Sequence, residues 1–321
     1  ALKRDDLLSI SFSGYADETA SCCSYICPDH HYLEGWNDFQ PVQNHYSLAQ
    51  PAIRPLYDTA AMQESLLVWV GLAPRLGKDS DTYYKVIRKN WIEYGFPMQT
   101  AYSDPNEYFN WMIHNGSGTV PAAANISPAF NGDVNGAASE ATGYKGGDFE
   151  AVFYQKAGMG DGAQANNPWL QEMPDPITKV TWDNYITMAP ADMEGTYNTY
   201  IGQEDPASVV TVKINGKEFK MPVFPQPGQA KGTIGIALGY GRGANGEEIG
   251  KATYQVDEYG SYISGDAGGK TVIGHNIFSA LELKKEKGVF TYSCIKADIS
   301  DAGEEYPLAC TQVHGTVMGR T

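Results

Sequence analysis

Apolar positions along this chain change their period part-way through. Residues 7–13 (LLSISFS) alternate and are followed by Gly14, which predicts a strand and a turn. Residues 18–25 suit a short helix. Three longer helices then show clear end signals. The first starts at Asp58, gathers Ala61, Met62, Leu66, Trp69 and Val70 on one side, and stops at Gly71. The second takes Asp79 or Ser80 as N-cap, spaces Tyr84, Ile87, Trp91 and Tyr94 by 3, 4 and 3, and ends at Gly95 and Pro97. The third has Asp104 as N-cap, Pro105 at the first helical position and Glu107 placed to close a capping box. Its Tyr108, Trp111 and Met112 face inward, and Gly116 stops it.

Residues 116–176 are rich in Gly, Ala, Asn and Pro, with one strand candidate at Glu150–Tyr154. So long a stretch with little structure of its own predicts a connecting or binding segment that packs on neighbours. From about residue 178 the period becomes two. Val209 to Ile214 alternates, Asn215-Gly216 is a type I′ turn signal, and Phe219, Met221 and Val223 resume the alternation, which makes this the clearest hairpin. Thr233–Leu238, Thr271–Leu283, Val289–Ala297 and Leu308–Met318 are further strand candidates, with a helix as the alternative over Ile277–Lys285. Strands joined by Gly-rich turns predict a barrel or sandwich. The pattern divides the chain into an α/β part at 1–115, a loop-rich segment at 116–176 and a β-barrel at 177–321.

Length and composition narrow the classes. A chain of 321 residues with 42% apolar and 12% aromatic residues has enough apolar material for a sizeable core. No window resembles a membrane span, and no heptad stretch predicts a coiled coil. A net charge of −15 argues against nucleic acid and anionic lipid as direct partners and suits a basic protein partner. The start, Ala-Leu-Lys-Arg-Asp-Asp, has no apolar signal region and runs straight into a strand, so the chain reads as a fragment or a processed product.

Candidate chemistry is sparse. Cys22, Cys23, Cys27, His30 and His31 bring five soft or borderline ligands within ten residues. A zinc or copper site needs them to converge tetrahedrally, whereas adjacent Cys–Cys and His–His pairs usually diverge; small buried cysteines and loop histidines are the simpler reading. Asn131, Asp133, Asn135 and Gly136 copy half of a calcium loop, but Thr142 stands where the bidentate acid belongs, so a solvated turn is preferred. Gly241, Gly243 and Gly246 match a dinucleotide fingerprint with no apolar helix after it, and Gly265, Gly269, Lys270 and Thr271 fall one residue short of a phosphate loop. Cys310 and His314 would share a strand face about 13 Å apart, too far to exchange a proton. Cys294 and Cys310 are compatible with a disulfide in an oxidising compartment. Asp183, Asp192, Glu194, Glu204 and Asp205 supply carboxylates of the kind a glycosidase pairs, as any acidic chain does.

Longer strings carry a resemblance. The strand LLSISFS, then Asp17-Glu18-Thr19-Ala20, Cys27-Pro28, Tyr32-Leu33-Glu34-x-Trp36 and Gln50-Pro51-x-Ile53-x-Pro55 resemble the α/β domain of molybdopterin oxidoreductases. Val209-Val210-x-Val212 with its hairpin, Gln226-Pro227-Gly228-Gln229-x-x-Gly232-Thr233 and Leu238-Gly239-Tyr240-Gly241-Arg242 resemble their C-terminal domain, a double-psi β-barrel that contributes to a pterin dinucleotide site. Pro28 to Glu34, the string Asn167-Pro168-Trp169-Leu170-Gln171-Glu172-Met173-Pro174-Asp175-Pro176-Ile177-Thr178-Lys179, and Cys310-Thr311-Gln312-x-His314-Gly315-Thr316-x-Met318-Gly319-Arg320 resemble the large iron–sulfur subunit of bacterial alternative complex III, a quinol-oxidising respiratory module.

The resemblance implies a fold: an α/β segment of a molybdopterin-oxidoreductase-like domain, followed by a β-rich, double-psi-barrel-like domain. It implies a scaffold without its own redox centre, on the periplasmic side of the bacterial inner membrane and peripheral through its complex. The implied partners are a multi-haem cytochrome c subunit, polytopic quinol-binding membrane subunits and a downstream iron–sulfur domain. Fe–S clusters and haem c belong to the rest of that complex, with no cofactor and no catalytic residue in this segment. Gly228, Gly232, Gly239, Gly241 and Arg242 match the region that faces a pterin nucleotide in active relatives, where they are read first as turn residues. The alternative is a segment of an active molybdopterin-dependent oxidoreductase that uses those residues to bind the dinucleotide. Cys22, Cys27, His30 and His31 are the metal candidates.

Overall fold

The computed structural model describes residues 2–74, 80–120, 129–142, 147–165, 167–201, 205–242, 274–284 and 289–311. The chain divides into two compact units, Ala1–Gly132 and Asp133–Thr321.

In the first unit, β1 (Ile10–Ser11) pairs in parallel with β2 (Tyr25–Ile26). β3 (Asn37–Val42), β4 (His45–Ala49) and, much later, β5 (Ser117–Thr119) form an antiparallel sheet. Between β4 and β5 lie α1 (Met62–Trp69), α2 (Thr82–Asn90) and α3 (Pro105–Asn115). The residues that start and stop α3 are those the sequence predicts, but Glu107 does not close the expected capping box and Phe109, not Trp111, joins Tyr108 and Met112 in the core. Asp104 accepts from the Asn106 N–H at 2.8 Å, Pro105 opens the helix, and Gly116 closes it at φ 72°. Its buried Tyr108, Phe109 and Met112 pack with Leu48, Ile87 and Trp91 as the core of this unit.

Two helices depart from the expected faces. After α2 the backbone makes a π turn, Trp91–Gly95, in which the Phe96 N–H donates to the Trp91 carbonyl five residues back. That wider turn rotates the face by a fraction of a turn, so Ile87 and Trp91 are buried while Tyr94 is exposed. α1 is inverted. Its buried side chain is Glu64, while Leu66, Trp69 and Val70, expected to face a core, are exposed together with Leu72 just beyond. Glu64 turns inward because its Oε1 accepts the Tyr83 N–H at 2.9 Å, near the start of α2.

In the second unit, α4 (Val134–Thr142) precedes β6 (Phe149–Tyr154), α5 (Pro168–Glu172), β7 (Ile186–Met188) and α6 (Pro190–Met193). Then come β8 (Ala207–Ile214), β9 (Lys217–Pro225), β10 (Thr233–Ala237), β11 (Glu282–Lys284), β12 (Val289–Thr291) and β13 (Ile295–Tyr306). The β8–β9 hairpin turns through Asn215 and Gly216 at φ 49° and 75°, as the Asn-Gly signal requires. Six strands close into a barrel in the order β10-β6-β13-β8-β9-β7. The β10–β6 and β7–β9 pairs are parallel and the others antiparallel. Exchanging β6, β7 and β8 with β9, β10 and β13 leaves this order unchanged, so the two halves of the barrel interlock with an internal twofold relation in their connectivity. Ala151, Phe153, Ile186, Met188, Val210, Val212, Met221, Val223, Ile234 and Ile236 fill the interior.

The barrel corrects the expected boundaries. Its first strand, β6, comes from within 116–176, and that segment is split between the units rather than standing as a connector. The reason is that β6 finds its partners far away, in β10 and β13. The strand expected over Val289–Ala297 is broken at Cys294, at φ 56°, so that β12 pairs with β11 while β13 enters the barrel. Ile277–Ala280 is a short 3₁₀ turn, neither strand nor α-helix.

Candidate functional site

The Cys/His cluster does not assemble into a ligand set. Cys22 lies on a 3₁₀ turn and its thiol points back to the Glu18 carbonyl at 3.3 Å. Cys27 follows β2, where its N–H donates to Ser11. His30 Nδ1 meets Thr59 Oγ1 at 2.6 Å, and the His31 N–H donates to Glu34 Oε2 at 3.0 Å. The Cys22 thiol, the His30 ring and the His31 ring thus engage separate neighbours, Glu18, Thr59 and the Leu33 N–H with the Tyr32 ring. Among the described residues no group of three His, Cys, Asp or Glu side chains converges as a metal site. All five cysteines are free thiols, Cys294 and Cys310 included. Asp133, read as half of a calcium loop, instead accepts the Gly136 N–H at 2.8 Å at the start of α4. Gly243, Gly246, Gly265, Gly269, Lys270, Thr271 and His314 lie outside the described residues, as does Glu204.

The five residues matched to a pterin-facing region are close to β10, and all four glycines adopt positive φ. Gly228 and Gly232 shape the β9–β10 connection, where a Cβ would meet open space. Gly232 N–H, however, donates to Asp192 Oδ2 at 2.7 Å. Gly239 and Gly241 are pressed against the chain itself. A Cβ on Gly239 would stand 2.8 Å from Gly162 N, and one on Gly241 would stand 2.3 Å from Asn276 N. Arg242 donates to the Gly162 carbonyl. An anionic dinucleotide needs amide donors, a guanidinium and open glycine faces. Here a carboxylate occupies one amide, a carbonyl engages the guanidinium, and two glycine faces are covered by backbone. As they stand, these residues do not fit a pterin dinucleotide.

Beside these turns that flank β10, which form the crown of the barrel, is a buried polar cluster that the sequence did not announce. Lys156, just after β6, is buried, donates to Tyr240 Oη at 3.1 Å and lies 4.6 Å from the centre of the Tyr185 ring. Burial pulls its ammonium down to about 8, against the pull of Asp175 and Asp183. Burial pushes the Asp183 carboxyl up to about 6, opposed by hydrogen bonds from Ala309 N–H at 3.2 Å and Tyr306 Oη at 2.9 Å. The Cys310 thiol rises to about 12, mainly through burial and then through the charge of Asp183. A thiol so raised stays protonated and is a poor nucleophile. The cluster therefore ties the end of β6, the 178–185 segment and the residues after β13 together through charge and hydrogen bonds. Its members are distant in sequence, and Asp183 was visible only as one carboxylate among several.

A pocket of about 410 Å³ opens in the first unit. Its walls include Trp36, Tyr83, Tyr84, Glu34, Glu64 and Arg54, with His30 also lining it. Glu34 Oε1 and Oε2 accept the Leu56 and His31 N–H groups at 2.9 and 3.0 Å, which holds its carboxyl below the usual range.

No family model matches the chain, and no curated protein sequence matches it. Among solved structures it is similar to acetylene hydratase from Pelobacter acetylenicus, at 14% identity and a TM-score of 0.43 over 89% of this chain. The chain spans 39% of that structure's length.

Proposed function

We propose that this chain is a scaffold segment of the iron–sulfur subunit of a bacterial respiratory quinol:cytochrome c, or high-potential carrier, oxidoreductase, supporting electron transfer without a redox centre of its own. In this reading the first unit is a molybdopterin-oxidoreductase-like α/β segment and the second a double-psi barrel. The observation that carries the reading is the closed crown of the barrel: Gly239 and Gly241 against backbone, Gly232 N–H on Asp192 and Arg242 on Gly162. The twofold connectivity of the barrel, with its two parallel pairs, suits the double-psi assignment.

The string at 167–179 favours contact with other proteins. It folds as α5 followed by tight turns, and it leaves Trp169 80% and Ile177 71% exposed. A tryptophan so placed is the residue type that anchors protein interfaces. The proposed neighbours are a multi-haem cytochrome c subunit, the downstream iron–sulfur domain and polytopic quinol-binding subunits, on the periplasmic side of the inner membrane.

The test is native mass spectrometry of the complex, gently solubilised from membranes of the source organism and captured through this protein. Co-purifying multi-haem cytochrome and polytopic subunits are expected, together with reduced recovery of both from the Trp169→Ala variant. A soluble species free of such partners overturns the scaffold reading. Molybdenum or tungsten with a pterin bound at the barrel would instead establish an active oxidoreductase.

A further inference from the structure

The pocket of the first unit combines features with no role in the scaffold reading. Glu64 is only 4% exposed yet lines the cavity, and one hydrogen bond, from Tyr83 N–H to Oε1, holds it. A buried carboxylate needs more compensation than one amide provides. Glu34, the other buried acid in the wall, has both oxygens engaged by backbone amides and stays charged. Arg54 also lines the pocket, but it is exposed and forms no ion pair with a described acid. Asp81, at the edge, is taken up by an exposed pair with Lys85 at 2.8 Å. The aromatic lining completes the arrangement: the Trp36 and Tyr84 rings stand 4.7 Å apart at 43°, forming a corner, and Tyr83 adds a third ring.

We propose that this pocket binds an organic cation, a primary ammonium or a guanidinium, with Glu64 as its counter-ion and Trp36, Tyr83 and Tyr84 as its walls. Aromatic faces and a desolvated carboxylate are what such a group requires. The volume lies in the range of about 300–1,000 Å³ typical of small-ligand sites, so an alkyl stem fits beside the charged head. The excess of acid over base across the whole chain draws cations towards it. The same chemistry comes either from a small amine or from a lysine or arginine side chain of a basic partner. The proposal is independent of the scaffold reading, since a chain that fails to capture a cytochrome still binds the cation.

The experiment is calorimetric titration of the full chain with butylammonium chloride and with an end-blocked Gly-Lys-Gly peptide. Butanol and the corresponding norleucine peptide serve as neutral controls. Saturable binding of a cation but not of its neutral control is expected, weakened by roughly tenfold or more in Glu64→Gln, where a neutral acceptor replaces the charge. Equal affinity for amine and peptide identifies a small-molecule site; binding of the peptide alone identifies a side chain of a partner. Should Glu64→Gln fail to fold, Trp36→Leu reads the same loss. Absence of saturable binding by both cations, equal binding of the neutral controls, or unchanged affinity in the folded variants overturns the proposal.

Discussion

Replacing Lys156 by Met tests the buried cluster of the barrel through its dependence on pH. Lys156 has an ordinary value of 10.5 and sits near 8 in the fold because burial disfavours its charge. A base depressed in the folded state contributes stability that is present above 10.5 and is lost as pH falls towards 8. The gap of about 2.5 converts to ~3 kcal/mol of charge burial borne by the native state at neutral pH. Methionine fills similar space without that charge, but it loses the bond to Tyr240 and the contact over Tyr185. Those losses offset about 2–3 kcal/mol, so the variant should lie within about 1 kcal/mol of the parent at pH 7. At higher pH the parent recovers its loss and the variant does not. Urea unfolding of both proteins at several pH values between 7 and 10.5 measures the difference, in which titrations remote from Lys156 cancel. The parent should gain ~3 kcal/mol on the variant across this window. A difference that stays flat would refute the assignment of a buried, depressed ammonium.

Two further outcomes test how sequence sets the backbone. Gly239→Ala puts a Cβ at φ 93° and 2.8 Å from Gly162 N, and should cost about 3 kcal/mol in urea unfolding; Gly195→Ala, at φ 78° with open space around it, should cost only about 1 kcal/mol, and equal costs would rule out the close approach. Asp104→Ala removes the α3 cap and should lower stability by about 1 kcal/mol, read as a lower urea midpoint with an unchanged slope.

What the sequence made legible was local. The β8–β9 hairpin and α3 carry their turn and cap residues within a few positions of the elements they define, and both form as expected. Period also marked β6 and β10 as strands but could not show that they pair, since Glu150 and Thr233 meet only when the barrel closes. In α1 the apolar face was legible, but what covers it was not. Glu64 reversed the helix because an amide at the start of α2 gave its carboxylate a partner. Tyr94 was misplaced by a turn five residues wide that the 3, 4, 3 spacing does not announce. In the candidate sites, the glycines of the barrel crown were legible as turn residues. The Lys156–Tyr240 pair and the Asp183 hydrogen bonds join residues 84 to 126 positions apart and left no local signal.

The exposed face of α1 sets a condition on any assembly containing this chain. Leu66, Trp69, Val70 and Leu72 are 44–77% exposed, so covering them fully would recover roughly half to three-quarters of their burial energy. At about 1.5–3 kcal/mol for a fully buried side chain of this kind, the four together give about 4–8 kcal/mol. Association costs about 4–15 kcal/mol in lost rigid-body freedom alone, so this face by itself holds a separate partner weakly at best. Tight attachment in the scaffold reading therefore calls for further contacts besides this face. Each further contact made by a partner already attached pays much less of that cost. An assembly built this way loses affinity far more steeply when one contact is removed than the buried area of that contact suggests.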